Sequence, residues 1–269
     1  MEIFQAIFLG IIEGLTEFLP ISSTGHLIVA QDAIGFYDAS KMFMVVIQMG
    51  AVMAILWFYR KEFTNLAKGL ITGDSRARRI WTVWIIATIP AGIFGLLFDT
   101  LIETYAITLT VAIALIVGGV IIWIVEEYQN VPRNISSPKL EKISIKQAIK
   151  IGFFQTLALI PGVSRSGATI IGGMLAGLDR VTATTYSFYL GLPILFLAGI
   201  YKLITGEINS VVGGWPVLLV GIVSSFIISL LVIGWLLKYV SRHDFKLFAY
   251  YRIIFGVLLL VLVLTGILS

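Results

Sequence analysis

Two carboxylates, two serines, two threonines and a histidine fall within EGLTEFLPISSTGH, Glu13 to His26, among residues that are otherwise largely apolar. Ionisable side chains at membrane depth are costly and gather where a pathway or a reaction needs them. Glu13 and Glu17 stand i, i+4, so both project from one helical face. Two carboxylates held that way either share a proton or bind a cation. A pair facing water at a helix end is the plainer alternative, weakened by the dozen residues of apolar helix ahead of Glu13. Ser22, Ser23, Thr24 and Gly25 follow Pro20 and open a second helical piece, GHLIVAQDAI. One serine there can act as a simple N-cap, but the amides of a helix N-terminus also form an anion site. His26 can approach the same point as a proton-transfer group or nucleophile. A lone histidine is more often structural; this one accompanies carboxylates and hydroxyls.

A second cluster, PGVSRSGAT from Pro161 to Thr169, repeats the design with Ser164, Ser166, Gly167 and Thr169 at a helix start. Arg165 is the only basic residue within either break. A guanidinium grips phosphate with two parallel hydrogen bonds; the simpler role is an ion pair with Glu13 or Glu17. Two helix N-termini facing each other suit a ligand with two anionic groups, and pyrophosphate fits.

The elements that must position these groups are membrane helices. The chain has 269 residues, 58% hydrophobic and only 13% charged, against about 25% charged in an average soluble protein. Six uninterrupted apolar stretches, approximately 41–60, 80–98, 106–125, 182–204, 214–237 and 248–268, are long enough to cross a bilayer. Two more, 1–35 and 147–178, are broken at LPISSTGH and IPGVSRSG, where Pro20 and Pro161 divide each into two short pieces suited to a re-entrant hairpin. The N-terminus lacks a basic n-region and a cleavage site and is expected to stay in the mature protein. With no cysteine, thiol chemistry and disulfides are excluded. The net charge of +4 resides in loops and serves orientation, not nucleic acid. Walker, zinc-ligand and dinucleotide motifs are missing.

At an offset of 142, residues 5–27 overlie 147–169 with seven of 23 positions identical, Ser22/Ser164 and Gly25/Gly167 among them. Glu13 falls on Gln155 and Thr24 on Ser166. Three spans follow each broken segment, an odd number, so the second segment must enter from the opposite face. Loop charges agree. Loops 60–79, 126–150 and 238–252 are basic (Arg133 and Arg252 included), while the other face carries Asp99, Glu103 and Glu207 with Lys41 and Lys202 nearby. The positive-inside rule puts the basic loops in the cytoplasm and both termini outside. The expected fold is all-α and polytopic: one integral membrane domain over 1–269, an inverted-topology repeat (about 1–127 and 145–269). Each half holds one re-entrant helical hairpin and three transmembrane helices. Glu126 and Glu127 read as surface charge at a cytoplasmic helix end, His243 as solvated, and Gly118–Gly119 and Gly172–Gly173 as close-packing sites.

EGLTEFLPISSTGHL and PGVSRSGAT resemble the two signature segments of the bacterial undecaprenyl-diphosphatase, or bacitracin-resistance, family, and the resemblance covers the whole chain. It implies removal of the terminal phosphate of undecaprenyl diphosphate in the plasma membrane, with the site open to the outer face. That reaction recycles the carrier lipid for peptidoglycan, and overproduction confers bacitracin resistance. By matching positions, Glu13 and Glu17 are the family's acidic pair, Ser23 and His26 belong to its serine–histidine element, and Ser164, Arg165 and Thr169 form its second phosphate-binding segment. A divalent cation, Mg2+ or Ca2+, is implied as well, held by Glu13 and Glu17.

On this reading Glu17, Ser23, His26 and Arg165 are catalytic, while Ser22, Thr24, Gly25, Ser164, Ser166, Gly167 and Thr169 bind substrate phosphate. Ser23, deprotonated by His26 or Glu17, is the first choice of nucleophile; His26 is the second, and direct attack by water stays open. The competing class is a transporter, since inverted repeats with broken helices are commonest among secondary carriers. An intramembrane protease is a weaker third. A homodimer has room, although GxxxG-like spacing near Gly206 and Gly214 is too loose to mark its face.

Overall fold

Helices here begin and end where capping side chains, glycines and prolines dictate. The computed structural model describes residues 2–38, 41–98, 104, 107–128, 137–206, 211 and 213–268, and all regular structure among them is helical. In chain order the α-helices are α1 (Glu2–Thr16), α2 (Ser23–Ala33), α3 (Met42–Phe58), α4 (Arg60–Thr72), α5 (Ser75–Leu97) and α6 (Thr108–Tyr128). There follow α7 (Ile145–Thr156), α8 (Arg165–Leu175), α9 (Arg180–Thr205), α10 (Gly214–Val240) and α11 (Lys246–Leu264). Asp74 caps α5 by accepting from the amides of Arg76 and Ala77, Asp179 caps α9, and Ser144 with Gln147 forms a capping box on α7.

Pro20 lies between α1 and α2, and Pro161 between α7 and α8, so both broken segments divide as their prolines imply. Pro90 and Pro193, by contrast, sit inside α5 and α9 without ending them. A proline alone therefore does not decide a break in a membrane helix; neighbours must also take up the freed backbone groups.

Among the described residues five helices, α5, α6, α9, α10 and α11, are long and apolar enough to cross a membrane, and α3 with α4 makes a sixth candidate bent by 72°. The expected loop after residue 60 is mostly the helix α4. Its polar face carries Arg60, Lys61 and Lys68, while Leu66 is buried and Phe63 stacks against Trp84 with ring centroids 5.8 Å apart. Such a one-sided pattern lets a helix lie against the bundle end instead of continuing through it. Asp99, Glu103, Arg133 and Glu207 lie outside the described residues.

Lipid supplies no hydrophobic drive between helices, so close approach depends on small residues. On α10, Leu219, Val223, Ile227 and Leu231 face outward, whereas Gly221, Ser225 and Ser229 are buried. The glycines of α1 meet that small-residue stripe: a Cβ on Gly10 would lie 2.5 Å from the Gly221 carbonyl, and one on Gly14 would lie 2.8 Å from the Ser225 carbonyl. α1 thus packs on α10, α7 on α5, α3 on both α9 and α10, and α6 on α11. Each broken segment folds its two short helices against one another.

Two charges sit elsewhere than composition suggests. Glu126, expected at the surface, is buried; it pairs with Arg180 and accepts from the Phe245 amide at 2.9 Å. Its neighbour Glu127 is the exposed member and meets Lys246. Arg252, expected among the basic loop charges, lies inside α11 with no exposed surface.

Candidate active site

The two breaks touch. Arg165, first residue of α8, reaches across so that its Nη2 donates to Glu17 Oε1 at 2.8 Å, while its Nη1 donates to the Ser187 carbonyl at 2.8 Å. Ser166 Oγ crosses the same seam to the Leu19 carbonyl at 2.8 Å, and Phe18 packs edge-on against Phe188 at 5.1 Å between ring centroids. The second oxygen of Glu17 accepts from Ser23 Oγ at 2.6 Å. One buried carboxylate thus bridges a serine hydroxyl at the start of α2 and a guanidinium at the start of α8. Ser23 and Arg165 occupy equivalent positions in the 142-residue offset.

Both helix starts carry the same backbone distortion. Ser22 has φ 72° and Ser164 has φ 71°, a region non-glycine residues rarely adopt, and each is the residue just ahead of its helix. Strain of this kind persists where surrounding contacts over-determine it, and it clusters at functional sites. Ser164 Oγ caps α8 through the Gly167 amide at 3.1 Å and lies 3.0 Å from Ser166 Oγ; Ser22 makes no side-chain cap.

A cavity of about 360 Å³ opens onto this seam, lined by Glu17, Ser22, Ser23, Thr24, Ser164 and Arg165. Apolar residues of α3 and α9, including Met44, Val45, Ile194 and Ala198, extend its wall, and Lys41 and Lys202 lie farther along the lining. Polar groups gathered at the seam of a chamber whose remaining wall is largely apolar, with Gln48 and Gln155 among its polar exceptions, suit an amphiphile whose head is anionic.

Other candidate residues are placed differently. His26 Nδ1 lies 2.7 Å from the Ser22 carbonyl and Nε2 lies 2.6 Å from the Tyr251 hydroxyl. Because a carbonyl only accepts, Nδ1 carries a proton, and the Nε2 of a neutral ring takes the tyrosine hydrogen. The ring stacks on Phe255 at 4.5 Å, and it is not among the residues that line the cavity. Gly25 is buried where a Cβ would meet Val111 of α6 at 2.9 Å, so its small size serves packing. Thr169, one turn into α8, donates to the Arg165 carbonyl at 2.8 Å and lies 2.7 Å from Ser187 Oγ. It braces Arg165 from behind.

Glu13 is fully buried, and neither of its carboxylate oxygens has a hydrogen-bond partner among the described residues. Orphaned buried oxygens one helical turn from Glu17 fit a cation ligand. No cluster of three or more histidine, aspartate or glutamate residues that could hold a metal exists among the described residues, so the two glutamates offer only part of a coordination shell. A divalent cation there would need water or substrate phosphates to complete its shell.

Composition did not point to Ser187, whose backbone carbonyl aims Arg165, or to Arg252. The signal for Arg252 was available: apolar residues flank it on both sides in LFAYYRIIFGVLLL.

Known proteins resemble the chain along nearly its whole length. Residues 6–258 match the family described as bacitracin resistance protein BacA. Undecaprenyl-diphosphatase 3 of Acinetobacter baylyi is 45% identical over 266 residues, covering 98% of this chain and 99% of that protein. Undecaprenyl-diphosphatase of Ectopseudomonas mendocina is 44% identical over 259 residues, with 96% and 92% covered. Undecaprenyl-diphosphatase 1 of Burkholderia lata is 45% identical over 268 residues, with 97% and 96% covered. A match of this extent, on a helical membrane fold whose two signature segments meet at one cavity, places the chain in the bacitracin resistance protein BacA family.

Proposed function

We propose that the chain hydrolyses undecaprenyl diphosphate to undecaprenyl phosphate and inorganic phosphate, which recycles the carrier lipid for peptidoglycan synthesis and confers bacitracin resistance. The observation that carries this reading is the Ser23–Glu17–Arg165 chain of hydrogen bonds beside a cavity that apolar residues of α3 and α9 extend. A nucleophile, its base and a guanidinium are what phosphoryl transfer asks of a protein, because positioning and charge stabilisation do most of the work.

In the proposed reaction Ser23 Oγ attacks the terminal phosphorus, and its proton passes to Glu17 Oε2, which already accepts from it. The bond from phosphorus to the bridging oxygen breaks, and undecaprenyl phosphate leaves with the electron pair. Water then attacks the phosphoserine phosphorus, the bond to Ser23 Oγ breaks and the serine takes back the proton held by Glu17, and inorganic phosphate leaves with the oxygen and hydrogens of the water. Arg165 exchanges its contact with Glu17 for the transferring phosphoryl group. Ser22, Thr24 and Ser164 face the same head group, while Ser166, Gly167 and Thr169 hold the second helix start in shape. Glu13 and Glu17 would hold a magnesium or calcium ion, which would supply positive charge beside the phosphates. His26, engaged at both nitrogens, fixes the Ser22 carbonyl next to the nucleophile.

The same reading takes the fold as an inverted repeat with the active site open to the outer face. Partner exchange supports it: α1 on α10 mirrors α7 on α5, and the pairs α3–α9 and α6–α11 each join equivalent helices. The matched backbone of Ser22 and Ser164 supports it too.

Phosphate release by the purified protein in detergent from a C15 or C55 prenyl diphosphate tests the activity. Release is expected, and its failure with and without magnesium or calcium would favour an anion or lipid carrier on the same architecture.

A further inference from the structure

Arg252 is fully buried in α11, yet no carboxylate faces it among the described residues. All five of its described hydrogen bonds go to backbone carbonyls. Nη1 donates to Pro20 at 3.1 Å and Val163 at 3.0 Å. Nη2 donates to Gly162 at 3.1 Å and Ala114 at 3.0 Å, and Nε reaches Leu115 at 3.3 Å. One guanidinium therefore ties both breaks to α6. A buried cation without a counter-ion is costly, so its presence at this junction needs a reason beyond filling space.

The carbonyls it holds supply that reason. Pro20, Gly162 and Val163 lie just ahead of the strained serines, in backbone that has no helical partners. Left free, such carbonyls would turn toward the cavity and oppose a phosphate. A peptide unit is planar, with its C=O and N–H pointing opposite ways. Holding the Val163 carbonyl against α11 therefore aims the Ser164 amide away from Arg252, toward the cavity that Ser164 lines. The site around the guanidinium is shaped to fit it. A Cβ on Gly118 would collide with the group, 2.8 Å from Cζ, and one on Gly167 would lie 3.3 Å from Nη1.

We infer that Arg252 is a positioning residue for phosphoryl transfer: its five-donor fork locks the backbone of both breaks so that the amide and hydroxyl groups of the site face the diphosphate. The inference rests on the reading of the cavity as a diphosphate site. Lysine keeps the charge but offers a single point of donation, so Arg252→Lys separates geometry from charge. Misplacement of reacting groups by about 1 Å can cost on the order of 10²-fold in rate.

The experiment measures phosphate release from a C15 prenyl diphosphate, with thermal melting of each purified variant alongside. Arg252→Lys is expected to lower kcat by about 10²-fold with KM changed by less than about threefold, at temperatures where the protein remains folded. Gly118→Ala, which leaves Arg252 in place and displaces its fork, is expected to give a smaller loss in kcat of the same kind. Wild-type kcat in folded Arg252→Lys would overturn the inference, as would a loss confined to KM. If Arg252→Lys is not recovered folded, normal kcat in Gly118→Ala overturns it. Inactive wild-type protein would instead sink the diphosphatase reading itself.

Discussion

Glu17 has two oxygens and uses both, one for Ser23 and one for Arg165, at 2.6 and 2.8 Å. Substitutions here act on reaction geometry before stability. Arg165→Ala removes the group that faces the transferring phosphoryl charge and should lower kcat by about 10²-fold or more, read as phosphate release from a prenyl diphosphate. Near-normal turnover by the folded variant would contradict the assignment. Arg165→Lys should do little better, because one ammonium cannot reproduce the fork that spans Glu17 and the Ser187 carbonyl. For the nucleophile, substrate labelled on its terminal phosphate should leave label on Ser23 after a quench in SDS near neutral pH, which spares phosphoserine and phosphohistidine alike, and Ser23→Ala should abolish that label. Label on His26 would reverse the roles. How far these residues were legible follows from their surroundings. Glu13, Glu17 and Arg165 stand out because charge amid apolar sequence has few explanations. Glu126 and Arg252 were misread because their partners come from remote parts of the chain: Arg180 is 54 residues from Glu126, and Pro20 is 232 residues from Arg252.

At the scale of the element, broken and continuous helices differ by what receives the backbone. Pro90 and Pro193 stay inside helices, whereas the Pro20 and Pro161 breaks have Arg252, Ser164 and Ser166 to accept or supply bonds. Position and length of both breaks were readable from proline and the serine–glycine pattern; the helix beyond the bend after Phe58 was not, since the abrupt switch to charge at Arg60, Lys61 and Glu62 reads as the start of a loop. Packing of α1 on α10 gives a direct test. A Cβ on Gly14 would lie 2.8 Å from the Ser225 carbonyl and 3.0 Å from the Ser229 amide, and backbone cannot step aside as a side chain can. Gly14→Ala should therefore destabilise by about 1–3 kcal/mol through overpacking. Gly92→Ala in α5, with nothing within 4 Å of the added carbon, should be neutral or stabilise by up to about 1 kcal/mol through helix propensity. Thermal melting in one detergent compares the two, and equal behaviour would count against this packing.

For the whole molecule, the direction of the cavity decides which leaflet supplies substrate. Lys41 and Lys202 line the cavity, near the start of α3 and the end of α9. Glu2 lies beside Gly213, so the starts of α1 and α10 share one end of the bundle. Arg79 donates to the Ile143 carbonyl, which joins the start of α5 to the start of α7 at the other end. The basic residues of α4, of the segment before α7 and of the α10–α11 turn would mark a cytoplasmic face under the positive-inside rule, and on the proposed orientation the mouth of the cavity would face outward. The absence of cysteine from the chain makes single-cysteine labelling free of background. Tyr37 is 75% exposed after α2, and Lys68 is exposed on α4. In intact cells a membrane-impermeant maleimide should label the Tyr37→Cys variant readily and reach the Lys68→Cys variant only after permeabilisation. The reverse pattern would put the cavity mouth in the cytoplasm, and the lipid diphosphate would then have to arrive from the inner leaflet.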